Sequence, residues 1–411
     1  MNGNWMSSGS SAWGALVRGE RGRATMTLIA LRIVYAYNWF DVGPGLPGIS
    51  ATFGTSTQAW GYLLAAFFAG AGITQVPAGL LARRYGTRSI SLVGAAILGV
   101  AGIASAFSPN FWVLLALRAG TGAGAGLFFS PAIALVSSLH PEGERGIPVG
   151  TFSSAYSAGA GLGVFVSAIL IPSVGWRGAL AVGGILMLAL VILAIVQIPL
   201  WAGAPPEPSA QRKRGIPTAL SSVAVWGIGL SFIGLEGASL SSGQFFVPYA
   251  ESIHGWSAAL AGAVGALFVF PSLFGGPVGG ILTERYANRR TQFVVLTAIP
   301  ACLLLLVPFV GLIETAVIAI GFSFGFGMTY AIMYVIPPYI PGLTDEDTSL
   351  AIGLLNGIQL VGGACIALVV ADIVALYGYT AAWEALGLFM AATLVFIPLI
   401  PRTRAGRPRA T

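Results

Sequence analysis

Charged side chains are scarce in this chain. They make up 8% of its 411 residues, against about 25% in soluble globular proteins. Hydrophobic residues reach 56%, and they fall into long runs rather than into a stripe that repeats every 3.6 residues. A soluble fold with so few charges could not cover its own surface with polar groups. The composition therefore excludes a soluble globular protein and favours one whose surface faces lipid.

Cysteine and histidine are also nearly absent. Cys302 and Cys365 lie inside apolar runs, so neither a disulfide framework nor a cysteine metal site is supported. His140 and His254 lie in predicted loops. No HExxH or P-loop pattern occurs in the chain, and no histidine lies within an apolar run. We therefore expect no enzyme, no metal and no cofactor, and we expect no process driven by ATP.

The apolar runs predict an all-α integral membrane protein. A helix that crosses a bilayer needs about 20 mostly apolar residues, and twelve runs of that kind occur, with glycine and proline interrupting the outer ends of the first and the seventh. The runs lie at roughly 24–46, 58–82, 89–107, 111–138, 148–171, 176–200, 218–243, 257–283, 291–312, 314–340, 348–376 and 380–400.

Basic residues predict the orientation of these helices. Of the 20 lysines and arginines, 17 fall in the termini or in alternate loops. Because lysine and arginine are retained on the cytoplasmic side, both termini are expected inside a cell (inner) membrane. The net charge of +6 then needs no nucleic-acid partner, and membrane lipid is the expected contact of the basic tail at 401–411.

Two related halves are predicted from a linker and from glycine spacing. The segment 201–217 is polar, rich in proline and basic, and it divides the chain into two sets of six runs. We therefore predict a cytoplasmic tail (1–23), two six-helix bundles (24–200 and 218–400) and a second tail (401–411). At an offset of 203, glycines of the first half meet glycines of the second: Gly122, Gly124, Gly150, Gly159 and Gly175 meet Gly325, Gly327, Gly353, Gly362 and Gly378.

Three motifs resemble those of the major facilitator superfamily. The loop after the second run reads GLLARRYGTR over 79–88, similar to the family signature G-x-L-x-D-R-x-G-R-R/K. The matching loop of the second half reads GILTERYANRR over 280–290, and the fourth run carries RAGTGAGA over 118–125, similar to the family's R-x-x-Q-G-x-G-A. The resemblance implies two pseudo-symmetric six-helix bundles that rock about a central binding site in alternating access.

The resemblance also implies a cytoplasmic gate, from which this sequence departs at one position. Arg83 stands where the family signature has aspartate, whereas Glu284 keeps an acid in the second half. We expect a charge swap in which Arg83 or Arg84 meets the acidic cluster of residues 345–347; the alternative is that these are solvated loop charges. The expected gate residues are Gly79, Arg83, Arg84, Gly86, Arg88, Gly280, Glu284, Arg285, Asp345, Glu346 and Asp347.

Charges inside the apolar runs are the candidate functional groups, because a charge at mid-bilayer costs about 2.5–3.5 kcal/mol. Asp41 in the first run and Arg118 in the fourth have matching depths, and we expect an ion pair between them. The resemblance assigns such a pair to proton coupling in multidrug/proton antiporters; a static structural pair is the alternative. Glu236, the one charge of the seventh run, has no arginine at the repeat position and suits a proton carrier or a cation-binding group.

Further polar and aromatic residues near the middle of the runs are candidates for a substrate pocket. Arg32 lies nine residues from Asp41, about 180° around an ideal helix, so it either extends toward the cytoplasm or lines the cavity as an anion contact. Helix-packing contacts are the alternative for the other candidates. The full set is Arg32, Tyr37, Asn38, Tyr156, Ser239, Tyr330, Asn356 and Gln359.

The sequence therefore leaves several functions open. The leading interpretation is a monomeric, proton-coupled secondary active transporter, driven by a proton or substrate gradient, that exports small amphiphilic or cationic compounds by drug/metabolite antiport. The first alternative is a carrier of organic or inorganic anions that uses Arg32 and Arg118. A transport-inactive membrane receptor is a second alternative.

Overall fold

The structure is a computed structural model that describes residues 19–141, 144–204, 218–285, 288–337, 340, 343 and 345–400. The side chains of residues 218, 284, 285, 334, 335 and 345–350 lie outside this description. Within the described ranges the chain is helical and contains no strand. An all-α fold is the physical consequence of the apolar runs, because a helix satisfies every backbone hydrogen bond within its own segment in lipid.

Thirteen α-helices occur in the described part of the chain. A 3₁₀ turn at Gly43–Gly45 separates α1 from α2, and another 3₁₀ segment at Thr393–Leu399 ends the described chain. The helices are α1 Gly19–Phe40, α2 Leu46–Phe53, α3 Gln58–Tyr85, α4 Thr87–Ala106, α5 Phe111–Leu139, α6 Gly146–Gln197, α7 Thr218–Ser221, α8 Val223–His254, α9 Ala258–Leu267, α10 Ser272–Arg285, α11 Arg289–Leu306, α12 Leu312–Val335 and α13 Asp345–Ala392.

Two of these helices are long enough to cross a membrane twice. Helix α6 has 52 residues and α13 has 48, which at 1.5 Å per residue exceeds twice the roughly 30 Å of a hydrocarbon core. Each contains one glycine with a positive φ, 68° at Gly175 and 84° at Gly378. Only glycine adopts this conformation without steric cost, so these two residues divide each long helix into two segments.

The predicted count of twelve spans stays a prediction. Nine helical segments of the described chain are long and apolar enough to cross a membrane, and α6 and α13 are two of them. Helix α1 is not one of the nine; it carries Glu20, Arg21, Arg23 and Arg32. The predicted run 257–283 is interrupted: it is broken between α9 and α10 at Phe268–Pro271, where the proline amide nitrogen has no hydrogen to donate.

The predicted duplication has a structural counterpart at the end of α6 and at the end of the 3₁₀ segment Thr393–Leu399, which follows α13. Arg88 donates to the carbonyl oxygens of Ile195 and Ile198 at the end of α6. Arg290, at a repeat offset of 202, donates to the carbonyl oxygens of Pro398 and Ile400. Each arginine therefore caps the carbonyl groups left free where the last helix of its half ends.

The two halves make close contact at one end of the bundle. We call the end that carries Arg83, Arg88 and Arg290 the basic end, and the other the opposite end. At the opposite end, Gln244 of α8 donates to the carbonyl oxygen of Trp39 of α1 at 2.6 Å. Trp60 of α3 stacks on Phe245 of α8 with ring centroids 6.1 Å apart. These contacts close the space between the halves at the opposite end.

Candidate functional site

A cavity of about 480 Å³ lies between the two halves. Its wall extends from Trp39, in the second half of α1, to Gly150, in the second turn of α6 near the basic end. The polar and aromatic side chains in the wall come from both halves: Arg32, Tyr35, Trp39, Gln75, Phe129, Ser153, Ser154, Tyr156, Ser157, Glu236, Ser272, Phe326, Tyr330, Asn356 and Gln359. A volume of this size suits a small organic molecule.

Arg32 is the cation that the described part of this wall contains, and it is surrounded by aromatic rings. Its guanidinium carbon lies 4.3 Å from the ring centroid of Phe129, 4.5 Å from that of Tyr35, 4.9 Å from that of Tyr156 and 5.6 Å from that of Phe152. Each such contact contributes roughly 0.5–2 kcal/mol. Arg32 is 6% exposed, and its Nε and Nη1 atoms have no hydrogen-bond partner among the described residues.

Helix geometry explains why Arg32 lines the cavity. Arg32, Tyr35 and Trp39 follow one another at intervals of three and four residues, so they share one face of α1, and all three lie in the cavity wall. Asp41, at nine residues from Arg32, comes just after the last residue of α1 and faces the interior of the first half. The sequence-based expectation that Arg32 and Asp41 do not share a face is therefore confirmed.

Glu236 brings a carboxyl group to the same cavity from the second half. It lies in α8, is 5% exposed, and its Oε2 atom has no hydrogen-bond partner among the described residues. Its side chain packs against Gly363 of α13, where an added Cβ would lie 3.3 Å from the Glu236 Cγ atom. Among the described residues the cavity thus carries one cationic side chain, Arg32, and one acidic side chain, Glu236, on walls that belong to different halves.

Three further predicted residues form a hydrogen-bonded cluster in the wall of the second half. Gln359 Nε2 donates to Asn356 Oδ1 at 2.9 Å and to the Tyr330 hydroxyl oxygen at 3.0 Å. The Tyr330 hydroxyl lies 3.5 Å from Asn356 Oδ1. Asn356 and Gln359 are three residues apart on α13, which places both on one helix face.

Asp41 and Arg118 form a buried ion pair within the first half. Arg118 Nη1 lies 3.4 Å from Asp41 Oδ1, and both side chains are 1% exposed. Arg118 Nη2 also donates to the carbonyl oxygen of Asn38 at 3.3 Å, and the guanidinium lies over the Phe67 ring. The expected pairing is confirmed by this geometry, and its role in proton coupling stays a prediction.

Three of the predicted pocket residues do not line this cavity. The Tyr37 hydroxyl lies 3.2 Å from Ser167 Oγ in α6. Asn38 Nδ2 donates to the carbonyl oxygen of Gly183 at 3.2 Å. Ser239 is buried in α8, outside the cavity wall. Tyr37 and Asn38 therefore pack helices of the first half together, which is the alternative that the sequence left open for them.

The predicted gate lies partly outside the described residues. Arg83 and Arg84 are exposed at the end of α3. Gly86 has a φ of 87° between α3 and α4. At Gly79 and Gly280, an added Cβ would have no neighbouring atom within 4 Å. The side chains of their proposed partners are not described, so the charge swap stays a prediction. Those partners are Asp345, Glu346 and Asp347, and the side chains of the gate residues Glu284 and Arg285 also lie outside the description.

Sequence reasoning missed several residues of the cavity wall. Tyr35 and Trp39 follow Arg32 at helical spacing, which is a signal that could have identified them. Gln75 is buried on α3 beside the cavity; a lone glutamine in an apolar run is a comparable signal. Ser272 lies just after the break at Phe268–Pro271, with its Oγ atom 2.7 Å from Ser157 Oγ of the first half; no local pattern predicts this contact.

Comparison with known proteins defines the class and then the family. A model described as the Major Facilitator Superfamily matches residues 28–341 and 245–411. A multi-pass helical membrane protein with a cavity between two halves has the architecture of a membrane transporter. The chain belongs to the Major Facilitator Superfamily, which confirms the resemblance seen in the motifs.

Relatives and solved structures agree with this assignment. The chain is 33% identical over 153 residues to the 4-hydroxybenzoate transporter PcaK of Pseudomonas aeruginosa. This match covers 37% of this chain and 34% of that protein. It is 28% identical over 282 residues to the probable nitrate/nitrite antiporter NarK1 of Thermus thermophilus, covering 65% and 62%. The matched regions therefore span between about a third and three fifths of these two relatives. A crystal structure of a D-xylose-proton symporter superposes with a TM-score of 0.75 at 15% identity, covering 93% of this chain and 99% of that one, which shows a shared fold.

Proposed function

We propose that this protein is a secondary transporter of small organic anions, with aromatic monocarboxylates as the substrate class and Arg32 as the anion-binding group. One observation carries the proposal: a buried guanidinium stands in the wall of the central cavity without a carboxylate partner among the described residues. The substrate is thus an anion, as in the first alternative from the sequence, rather than an exported cation. Proton coupling and the direction of transport are not part of it.

The chemistry of arginine supports this choice. A guanidinium stays protonated under all ordinary conditions, whereas a carboxyl group such as that of Glu236 can become neutral by binding a proton. The positive charge of Arg32 therefore persists in a membrane interior and attracts a counter-anion, and its planar fork binds a carboxylate through two hydrogen bonds. Asp41 neutralises Arg118, another buried arginine.

The aromatic surroundings of Arg32 support a substrate with a ring. Phe129, Tyr35 and Tyr156 lie within 5 Å of the guanidinium carbon, and Phe326 and Tyr330 line the wall of the second half. Ring pairs in such walls contribute about 0.5–1.5 kcal/mol beyond the burial of their area. Two relatives are named for transporters of small anions, 4-hydroxybenzoate and nitrate/nitrite, which supports the same class.

Because the opposite end is closed, the proposed transport cycle starts with access to the cavity from the basic end. In the proposed cycle the cavity faces the basic end, the basic end faces the cytoplasm as the distribution of arginines predicts, and the contact between Gln244 and Trp39 opens when the halves rock. We propose the bacterial inner membrane as the location and a monomer as the working unit, with no cofactor and with an ion or substrate gradient as the driving force.

Proton-coupled export of amphiphilic cations remains the second candidate. Glu236 favours it, because its carboxyl group lines the cavity and its Oε2 atom has no hydrogen-bond partner among the described residues. In that case Asp41 and Arg118 would link protonation to rocking, as the family resemblance implies. A transport-inactive receptor would bind the same ligands without moving them.

Ligand-induced thermal stabilisation of the purified full chain separates the candidates. The panel contains benzoate, nitrate and tetraphenylphosphonium, and the variants are Arg32→Gln, Arg32→Lys and Glu236→Gln. Since a ligand that binds only the folded state raises its apparent stability by mass action, we expect a shift with benzoate. The shift should be lost in Arg32→Gln and partly retained in Arg32→Lys.

Arg21→Gln is the matched control, because it removes one positive charge from an exposed position at the basic end. Uptake of labelled benzoate into proteoliposomes then distinguishes a carrier from a receptor. A shift with tetraphenylphosphonium alone, lost in Glu236→Gln, would overturn the anion proposal in favour of cation export. A shift with nitrate and none with benzoate would limit the substrate to inorganic anions.

A further inference from the structure

The cavity wall of the second half has a feature that anion binding at Arg32 does not use. Tyr330, Asn356 and Gln359 form a hydrogen-bonded cluster on α12 and α13. All three side chains belong to the cavity wall. Arg32 belongs to the other half, so a ligand held by Arg32 presents its far side to this cluster.

One hydrogen-bond acceptor of the cluster, the Gln359 Oε1 atom, is not used by the hydrogen bonds within it. The Gln359 amide nitrogen has two hydrogens, and it uses them on Asn356 Oδ1 and on the Tyr330 hydroxyl oxygen. The Gln359 Oε1 atom has no hydrogen-bond partner among the described residues, although the side chain is 1% exposed. A buried carbonyl oxygen without a donor costs free energy, so a ligand that supplies one gains affinity.

We propose that Gln359 Oε1 forms a hydroxyl-binding subsite that selects aromatic carboxylates with a hydroxyl group on the ring. This inference rests on the proposed function, since Arg32 holds the carboxylate at the other wall. The ring lies between the two walls, beside Phe326 and Tyr330, whose ring centroids are 5.4 Å apart. Such a ligand spans the cavity from the first half to the second.

A hydroxyl group fits this subsite better than an ammonium group. Gln359 is neutral and offers one oxygen, which one hydroxyl hydrogen satisfies, whereas an ammonium group has three donors and a charge. An ammonium group would instead favour Glu236, the acid of the same cavity. The two chemistries therefore depend on different residues, and variants can separate them.

The experiment measures dissociation constants by isothermal titration calorimetry on the purified full chain. The ligands are benzoate, 3- and 4-hydroxybenzoate, 4-methoxybenzoate and 4-(aminomethyl)benzoate. We expect at least one hydroxybenzoate to bind roughly 3- to 10-fold more tightly than benzoate, the range of one neutral hydrogen bond, and 4-methoxybenzoate to lack this advantage. In Gln359→Leu, which is of similar size and lacks the acceptor, the advantage of the hydroxybenzoate over benzoate should vanish; it is measured as a ratio within the same variant, so that any change in benzoate affinity cancels.

Controls make each outcome decisive. Retained benzoate binding shows that Gln359→Leu is folded, and Gln58→Leu, at the opposite end and outside the cavity, should keep the full preference. A preference that survives in Gln359→Leu and disappears in Glu236→Gln would overturn the assignment, as would tightest binding by the aminomethyl ligand. If benzoate binds through Arg32 but a hydroxyl group adds nothing, the subsite is wrong and the anion carrier stands. If no carboxylate binds at all, both proposals are wrong.

Discussion

Replacing Gly43 with alanine should open the opposite end of the bundle. Gly43 lies in the 3₁₀ turn after α1, directly against Gln244 of the other half. An added Cβ would lie 2.6 Å from Gln244 Oε1, 2.7 Å from its carbonyl oxygen and 2.9 Å from its Cα atom. Two of these three atoms belong to the backbone, so a change of rotamer cannot remove the clash, and the two halves must separate at this point.

The size of the effect follows from two contributions. Overpacking of a tight contact costs about 1–3 kcal/mol. Loss of the hydrogen bond from Gln244 to the Trp39 carbonyl oxygen adds about 1 kcal/mol. A total of about 2–4 kcal/mol against the closed opposite end shifts the conformational equilibrium by roughly 30-fold to nearly 1,000-fold. A state of low population in the wild type would thereby become detectable or dominant.

Electron–electron double resonance can measure this shift in lipid nanodiscs. Spin labels at Ser56→Cys and Thr380→Cys report the distance between the halves at the opposite end, after serine has replaced the two native cysteines. Gly353→Ala is the matched control, because nothing lies within 4 Å of its added Cβ. We expect a longer distance to gain population in Gly43→Ala and not in Gly353→Ala. Identical distance distributions in both variants would refute the role assigned to the contact between Gly43 and Gln244.

Three further predictions concern stability. Gly378→Ala forces an L-residue to a φ of 84° at a cost of roughly 1–2 kcal/mol, so its melting temperature should fall, whereas Gly353→Ala should not lower it. Arg88→Ala removes two hydrogen bonds from a charged donor to the end of α6, each contributing about 1.5–3 kcal/mol, and should melt earlier than an Arg88→Lys variant. Arg118→Ala leaves Asp41 buried without its cation, which costs about 3–5 kcal/mol, so its melting temperature should fall. Adding Asp41→Asn should restore much of this loss. A wild-type melting temperature in the single variant Arg118→Ala would contradict a structural ion pair.

The fold followed largely from the sequence, because lipid imposes strong local rules on a membrane chain. Apolar runs of about 20 residues predict helices wherever they occur, and the loop motifs were sufficient to indicate the family. Gly175 and Gly378, the glycines with positive φ inside α6 and α13, are an exact repeat pair in the sequence at an offset of 203. The break at Phe268–Pro271 was not predicted, because a proline in an apolar run is also compatible with a continuous, kinked helix.

The site was only partly predictable. Charges within apolar runs identified Arg32, Asp41, Arg118 and Glu236, because each is costly in a membrane and therefore rare. The sequence could not decide their surroundings. Arg32 and Arg118 are both arginines in similar apolar runs, yet Asp41 neutralises Arg118, whereas aromatic rings surround Arg32.

Tertiary structure made that decision through the rotation of each helix about its axis. Successive residues of an α-helix point about 100° apart, so Trp39 lines the cavity while Asn38, one residue earlier, bonds to α6. A shift of one residue in the orientation of α1 would exchange these roles. Composition and motifs determined that this chain is a helical membrane transporter; the packing of the two halves decided which of its few polar groups face the substrate.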